Sequence, residues 1–152
     1  MRIQELVVTP KAVEAVLRFD DDEPLNTGRL TGFGDSMTGH LPGLRGHRCD
    51  NGKGRTFVDE MRETELAHVV EHAALEIMAM AGSRDTLAGR TSWDFSADGR
   101  GVFHVRVECD DSVVAVGALR CAASLVDSIT RGTEPPDVVA EAVRLRQGRR
   151  WR

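Results

Sequence analysis

The stretch ELAHVVEHAALEIMAMAG, residues 65–82, predicts the central element of the fold, a helix that is apolar around most of its circumference. An α-helix turns about 100° per residue, so the apolar side chains fill an arc of about 180°, which indicates a buried helix. His68, Glu71, His72 and Glu76 interrupt this pattern and fall together on one narrow stripe. Burying polar groups costs free energy unless they are paired, so the stripe requires a chemical explanation.

The stripe contains H-x-x-E-H, the order of the inverzincin type of metallopeptidase, as His68, Glu71 and His72. Imidazoles at positions i and i+4 can point to one spot and bind Zn²⁺, with a coordination position left open for water. Glu71 is then the predicted catalytic base, which takes a proton from the metal-activated water. The same spacing also fits a solvated helix face or a set of salt bridges, so the motif alone does not establish a metal site.

A catalytic zinc site with two histidines needs a third protein ligand, commonly a carboxylate. Glu76 lies one turn beyond His72, but ligands at i, i+4 and i+8 span about 12 Å, too far for bonds of about 2 Å. Glu76 is therefore predicted to orient His72 and remains the alternative ligand. Glu108 ends a predicted strand and approaches from another direction, so it is the preferred third ligand. Strand alternation nevertheless places it on the face shared by His104 and Arg106.

Strands alternating with helices predict a small α+β domain. The strands are expected at residues 12–20, 89–96 and 102–108, and the helices at 65–82, 112–130 and 135–147. This order predicts a two-layer sandwich, with the helices on one face of a small, mainly antiparallel sheet. Residues 1–147 form the expected single domain, and residues 148–152 a basic tail.

Composition excludes several classes of partner. The net charge is −4, aromatic residues make up 5% of the chain and tyrosine is absent, so no nucleic acid is expected. The first residues do not have the pattern of a signal peptide, and no apolar run of membrane-spanning length is expected. The 3 cysteines lack a regular spacing, which favours reduced thiols in the cytoplasm. A homodimer is a further expectation, in which the apolar helix at 112–130 buries its extra surface against a second copy.

A string of motifs resembles the N-terminal domain of cyanophycin synthetase. The segment LPGLRGHRCDNGKGRTFVDEMRETELAHVVEHAALEIMAMAG, residues 41–82, is similar to that domain's LPGL-x-x-HRC segment, its F-V-x-x-(L/M)-R-E segment and its H-x-x-EH-x-A-LE helix, which ends in AG. GRT at 89–91, VFHVRVE at 102–108 and PDVVAEAVRLRQ at 136–147 resemble later parts of the domain in the same order. The resemblance covers about residues 12–147.

The resemblance implies a function connected with cyanophycin, the Asp–Arg polymer. The synthetase domain helps to bind the polymer, and some members hold a zinc-dependent hydrolase that clips it into primers. His68, Glu71 and His72 match the motif of that hydrolase, and Glu108 matches its later glutamate. The expected function is a stand-alone zinc-dependent hydrolase of peptide or isopeptide bonds. The alternative is a non-catalytic module that binds a polymer or a partner. No G-x-x-x-x-G-K-[ST] stretch is present, so an ATP-dependent ligase is not expected.

Polar residues in the matched loops have two interpretations each. Arg45, Arg48 and Arg90 are predicted to bind a carboxylate of a peptide or polyamino-acid substrate, with surface salt bridges as the alternative. His47 and Cys49 stand two residues apart and could bind a metal, but a structural role in the loop is favoured.

Overall fold

The computed structural model describes residues 1–49 and 56–149. The described strands are β1 (Arg2–Val8), β2 (Ala12–Arg18), β3 (Gly89–Ser92) and β4 (Val102–Glu108). The helices are α1 (Phe33–His40), α2 (Phe57–Glu60), α3 (Leu66–Met80), α4 (Phe95–Asp98), α5 (Ser112–Arg131) and α6 (Val138–Arg149). Two short 3-10 turns cover Thr27–Arg29 and Pro42–Gly46.

The strands form one antiparallel sheet in the order β1-β2-β4-β3. Alternate residues of β2 and β4 are fully buried on one face, because α3 and α5 pack against these strands. Those residues are Val13, Ala15, Leu17, Phe103, Val105 and Val107. The predicted α+β sandwich is confirmed.

α3 is the central helix that its apolar arc predicts. It contacts β3, β4, α5 and α6, and 10 of its side chains are buried, including those of Glu71 and His72. The helix ends where expected, because Gly82 follows it with a φ of 87°, a conformation that favours glycine. The polar stripe is therefore held on an element that its neighbours fix from several sides.

The first strand was not predicted from the sequence. β1 pairs with β2, but its register shifts between Ile3 and Glu5. Such a β-bulge breaks the alternation of apolar and polar residues by which a strand is recognised. The predicted strand at 89–96 is too long for a related local reason. Asp94 accepts hydrogen bonds from the N–H groups of Ser96 and Ala97, which starts α4 soon after β3 ends at Ser92.

α5 corrects the expectation that no apolar segment has membrane-spanning length. By length and composition alone, its 20 residues are long and apolar enough to cross a membrane. Half of that span is buried inside the protein, where the helix packs against the sheet, α3 and α6. Gly117 allows the close approach of α6, since a Cβ atom there would collide with Leu145. α6 continues to Arg149, and residues 150–152 of the predicted tail lie outside the described residues.

His104 joins the outer face of the sheet to α4. Its Nδ1 lies 3.2 Å from Glu14 on β2, and its Nε2 lies 3.2 Å from Asp98. Partial burial opposes protonation, but the hydrogen bonds to the two carboxylates outweigh it and raise the pKa of His104. A histidine whose pKa is higher in the folded state contributes stability at pH values below its unfolded pKa.

We predict that His104→Gln lowers the free energy of unfolding by up to about 1 kcal/mol below the unfolded pKa of 6.5. The loss should fade as the pH rises through the raised pKa of the folded protein, because the wild-type imidazole then loses its charge. Urea unfolding of both proteins at about pH 5.5 and about pH 8.5 measures this difference. Equal losses at the two pH values would contradict a charge effect.

Candidate metal centre

The polar stripe of α3 faces a cavity of about 940 Å³. Three regions that are far apart in the sequence form its walls. They are the segment at 43–49, the stripe of α3 with residues 60–65 before it, and β3 with the loop at 84–88 before it. His68, Glu71, His72 and Glu76 all line it. The buried helix thus carries polar groups because one side of it borders a cleft.

Two histidines of the motif meet a cysteine in this cleft. Cys49 Sγ lies 3.8 Å from His68 Nε2 and 3.6 Å from His72 Nε2. Tetrahedral zinc with a Zn–S bond of about 2.3 Å and Zn–N bonds of about 2.0 Å separates sulfur and nitrogen ligands by about 3.5 Å. The three candidate ligand atoms all lie within 4.8 Å of one another. Their chemistry and spacing therefore fit a zinc ion.

The imidazoles of His68 and His72 are each held by a hydrogen bond at Nδ1, the nitrogen that faces away from Cys49. His68 Nδ1 lies 2.9 Å from Thr64 Oγ1, and His72 Nδ1 lies 3.1 Å from His47 Nδ1. Residues that bond the far nitrogen of a ligating histidine fix its tautomer and its ring orientation. The arrangement leaves Nε2 of each ring directed at the thiol. Phe57 further restrains His72 by stacking on it, with the ring centroids 3.8 Å apart.

Glu76 completes a chain of hydrogen bonds to His72. His47 Nε2 lies 2.9 Å from Glu76 Oε2, and a carboxylate can only accept at this distance. In the neutral form of His47 the proton then lies on Nε2, and Nδ1 accepts the proton of His72 Nδ1. In that arrangement Nε2 of His72 presents a lone pair to a cation. Glu76 is thus linked to His72 through His47 and does not contact His72 directly in this chain of hydrogen bonds.

Burial favours the neutral forms of the three candidate ligands, Cys49, His68 and His72, when no cation is bound. Burial lowers the pKa of His68, and burial with the neighbouring His68 and His47 lowers the pKa of His72 to about 3. Burial, with Glu60 and Glu71 nearby, raises the pKa of Cys49 to about 11. Neutral imidazole is the form that binds metals, and a bound dication would deprotonate the thiol.

Glu71 stands on the same cavity wall with one oxygen already engaged. Thr91 Oγ1 on β3 donates a hydrogen bond of 2.6 Å to Glu71 Oε2. Burial raises the pKa of Glu71, and the bond from Thr91 only partly opposes this effect. Gly89 provides the necessary space, since a Cβ atom there would lie 2.6 Å from Glu71 Cγ. A buried carboxylate with a raised pKa suits proton transfer near neutral pH.

Glu108 is not brought to the histidines, and Cys49 replaces it as the candidate third ligand. Glu108 is exposed on the outer side of β4, where its Oε2 accepts a hydrogen bond of 3.1 Å from the Ala88 N–H. Among the described residues, the group that could hold a metal is Cys49, His68 and His72. The signal that sequence reasoning set aside was the pair His47 and Cys49, whose loop folds over α3.

The three arginines separate into two groups. The Arg45 guanidinium donates to the backbone oxygen of Thr38 at 3.3 Å and to its Oγ1 at 3.2 Å, so Arg45 ties the loop to α1. It is not among the residues that line the cavity, whereas Arg48 and Arg90 are. These two remain candidates for binding a substrate carboxylate.

Fold and site together define a small two-layer α+β domain with a candidate Cys-His-His metal centre in a cleft. The chain belongs to the family of cyanophycin synthase-like N-terminal domains, whose model matches residues 14–131. The resemblance seen in the sequence motifs is thereby confirmed at the level of the family.

The similar proteins are cyanophycin synthetases. Those of Trichormus variabilis and Nostoc sp. are each 33% identical to this chain over 124 residues, which is 79% of the chain. The synthetase of Crocosphaera subtropica is 33% identical over 116 residues, or 75% of the chain. The matched region makes up 13% of each of these relatives, so the chain corresponds to a small part of them.

We predict that His47→Phe and Glu76→Gln each weaken zinc binding by about 10- to 100-fold, because His72 loses the groups that fix its tautomer and orientation. Competition with a zinc-binding dye measures the affinity. His104→Gln is the matched control, since it removes an imidazole outside the cavity. Unchanged zinc affinity in both site variants would contradict the orienting chain.

Proposed function

We propose that this chain is a zinc-dependent hydrolase that cleaves peptide or isopeptide bonds, with a cyanophycin-like Asp–Arg polymer as its candidate substrate. One observation carries the proposal. The two Nε2 atoms and the Cys49 thiol converge on one spot, while the Glu71 carboxylate lines the same cavity. The free thiol that this site requires persists in a reducing compartment such as the cytoplasm, which we propose as the location.

A bound zinc ion supplies a Lewis acid, which polarises a carbonyl and lowers the pKa of a water molecule. The chain's own residues supply the proton transfer. Thr91 occupies Oε2 of Glu71, so Oε1 is the oxygen available to accept a proton. The proton would come from the water whose oxygen forms a bond to the carbonyl carbon, and Glu71 would deliver it to the amine that leaves when the C–N bond breaks. The burial of Glu71 keeps competing solvent away from this transfer.

The charges on the cavity wall support a substrate that carries both signs. Arg48 and Arg90 line the cavity and suit carboxylates, while Glu60 and Glu63 suit cations. Glu60 is buried, and its Oε1 has no hydrogen-bond partner among the residues that the structure describes. A donor group of the substrate would satisfy this oxygen. An Asp–Arg polymer offers both carboxylates and guanidinium groups, and the relatives are named for their synthesis of cyanophycin.

We predict about one zinc per purified wild-type chain and loss of that zinc in Cys49→Ala and His68→Ala. Glu71→Gln should keep the metal, because Glu71 is not a ligand, and should lose hydrolysis by about 100-fold or more. Elemental analysis measures the metal, and chromatography of cyanophycin and ordinary peptides after incubation measures cleavage. Glu108→Gln is the matched carboxylate control and should keep both properties.

Cleavage and polymer binding, measured together, separate the hydrolase from the polymer- or partner-binding module. A binding module would show no cleavage in the wild type, and its binding of polymer would survive His68→Ala and His72→Ala. Full activity of Glu71→Gln would contradict the assigned base. A chain purified without chelator and free of metal would contradict the site.

A further inference from the structure

We infer that the substrate of this site is an extended peptide main chain, which binds as an added strand along the outer edge of β3 through the backbone groups of Gly89 and Thr91. This inference rests on the proposed hydrolase function and specifies how that site holds its substrate. It follows from the sheet's hydrogen-bond register and from the position of one edge strand.

The register shows which way the β3 backbone points. The odd-numbered residues of β4 form its backbone hydrogen bonds to β2. The two bonds just beyond the strand ends follow this pattern, since Phe19 N–H donates to Gly101 O and Cys109 N–H donates to Lys11 O. The even-numbered residues of β4 bond to β3, since Glu108 N–H donates to Ala88 O. Antiparallel pairs alternate between bonded and non-bonded residues. Arg90 and Ser92 therefore pair with β4, while the N–H and C=O groups of Gly89 and Thr91 point to the opposite side.

That opposite side is a sheet edge. β3 is the last strand in the order β1-β2-β4-β3, and within residues 1–49 and 56–149 no strand or isolated bridge pairs with its outer side. An open edge presents unpaired donors and acceptors, which natural proteins usually cover or use. Peptides bind such edges by adding a strand, and main-chain hydrogen bonds then give the affinity.

The edge opens beside the candidate base. Ala88, Gly89, Arg90 and Thr91 line the same cavity as the histidines and Glu71. β3 also contacts Glu71 directly, because the Thr91 hydroxyl donates to Oε2 and Gly89 has no side chain to keep the carboxylate away. A main chain laid along this edge would therefore pass Glu71 in a defined register. A second copy of the chain is a poorer occupant, because the edge faces a recessed cavity.

Zinc-anchored probes test the inference without turnover. The probes are acetohydroxamate, a tetra-alanine hydroxamate, and variants of the latter with a single N-methyl group at each successive amide, all titrated against the zinc-loaded full chain. We expect the peptide to bind more tightly than acetohydroxamate. N-methylation should weaken binding about 3- to 10-fold at alternate positions only, since an added strand bonds through every second residue.

Amide hydrogen exchange, followed by NMR, gives a second readout on the wild-type protein. The tetra-alanine hydroxamate should slow exchange at Gly89 and Thr91 and leave Arg90 unchanged, because that N–H already pairs with β4. Leu6 and Val8 are the internal control, since the same alternation turns their N–H groups to the free edge of β1, at the other end of the sheet.

The outcomes distinguish this inference from the function on which it rests. Binding of acetohydroxamate with a flat N-methyl series, or with no slowing at Gly89 and Thr91, would overturn the added strand and leave the zinc site standing. Failure of every hydroxamate to bind the zinc-loaded chain would overturn the hydrolase proposal, and the added strand with it. Slowing at Leu6 and Val8 as well would indicate edge pairing without selectivity and would also overturn the inference.

Discussion

The chain of hydrogen bonds from Glu76 through His47 to His72 is the interaction on which the site depends. A buried imidazole has two nitrogens to satisfy, and each unsatisfied one costs free energy. Because the Glu76 carboxylate can only accept, a neutral His47 fixes one order of protons along the chain, in which Nε2 of His72 carries none. Gly43 allows Glu76 to approach, since a Cβ atom there would collide with its carboxylate. The direction of a metal-binding lone pair is thus decided by residues that bind no metal.

Much of the framework could be predicted from the sequence, because it follows from periodicity. The apolar arc of α3, the alternation of β4 and the stop at Gly82 are local patterns, and each appears in the structure near its expected place. β1 was missed because a bulge between Ile3 and Glu5 disturbs its alternation. His68, His72 and Glu71 could be predicted from the sequence for the same reason as the helix, since residues three and four apart share a face.

The candidate third ligand could not be predicted, because its position depends on how a loop folds. Cys49 belongs to a segment with no periodicity, and only the tertiary structure brings it beside residues 19 and 23 positions later. Glu108 was preferred because carboxylates commonly complete such sites, yet its own strand alternation points it outward. His47 was missed as the link between Glu76 and His72 for the same reason as Cys49. Chemistry indicated that a third ligand and an orienting group were needed, but spacing could not identify them.

The segment at 47–49 carries both a candidate ligand, Cys49, and a candidate orienting group, His47, and this has a thermodynamic consequence. A metal ion held by Cys49 and by α3 would act as a reversible cross-link between two sequence-distant segments. Any ligand that binds only the folded state adds RT ln(1 + [L]/Kd) to the free energy of unfolding. The apparent melting temperature of this protein would then depend on the free zinc concentration of its surroundings. If zinc is the bound ion, a cell short of zinc would lose part of this protein's stability.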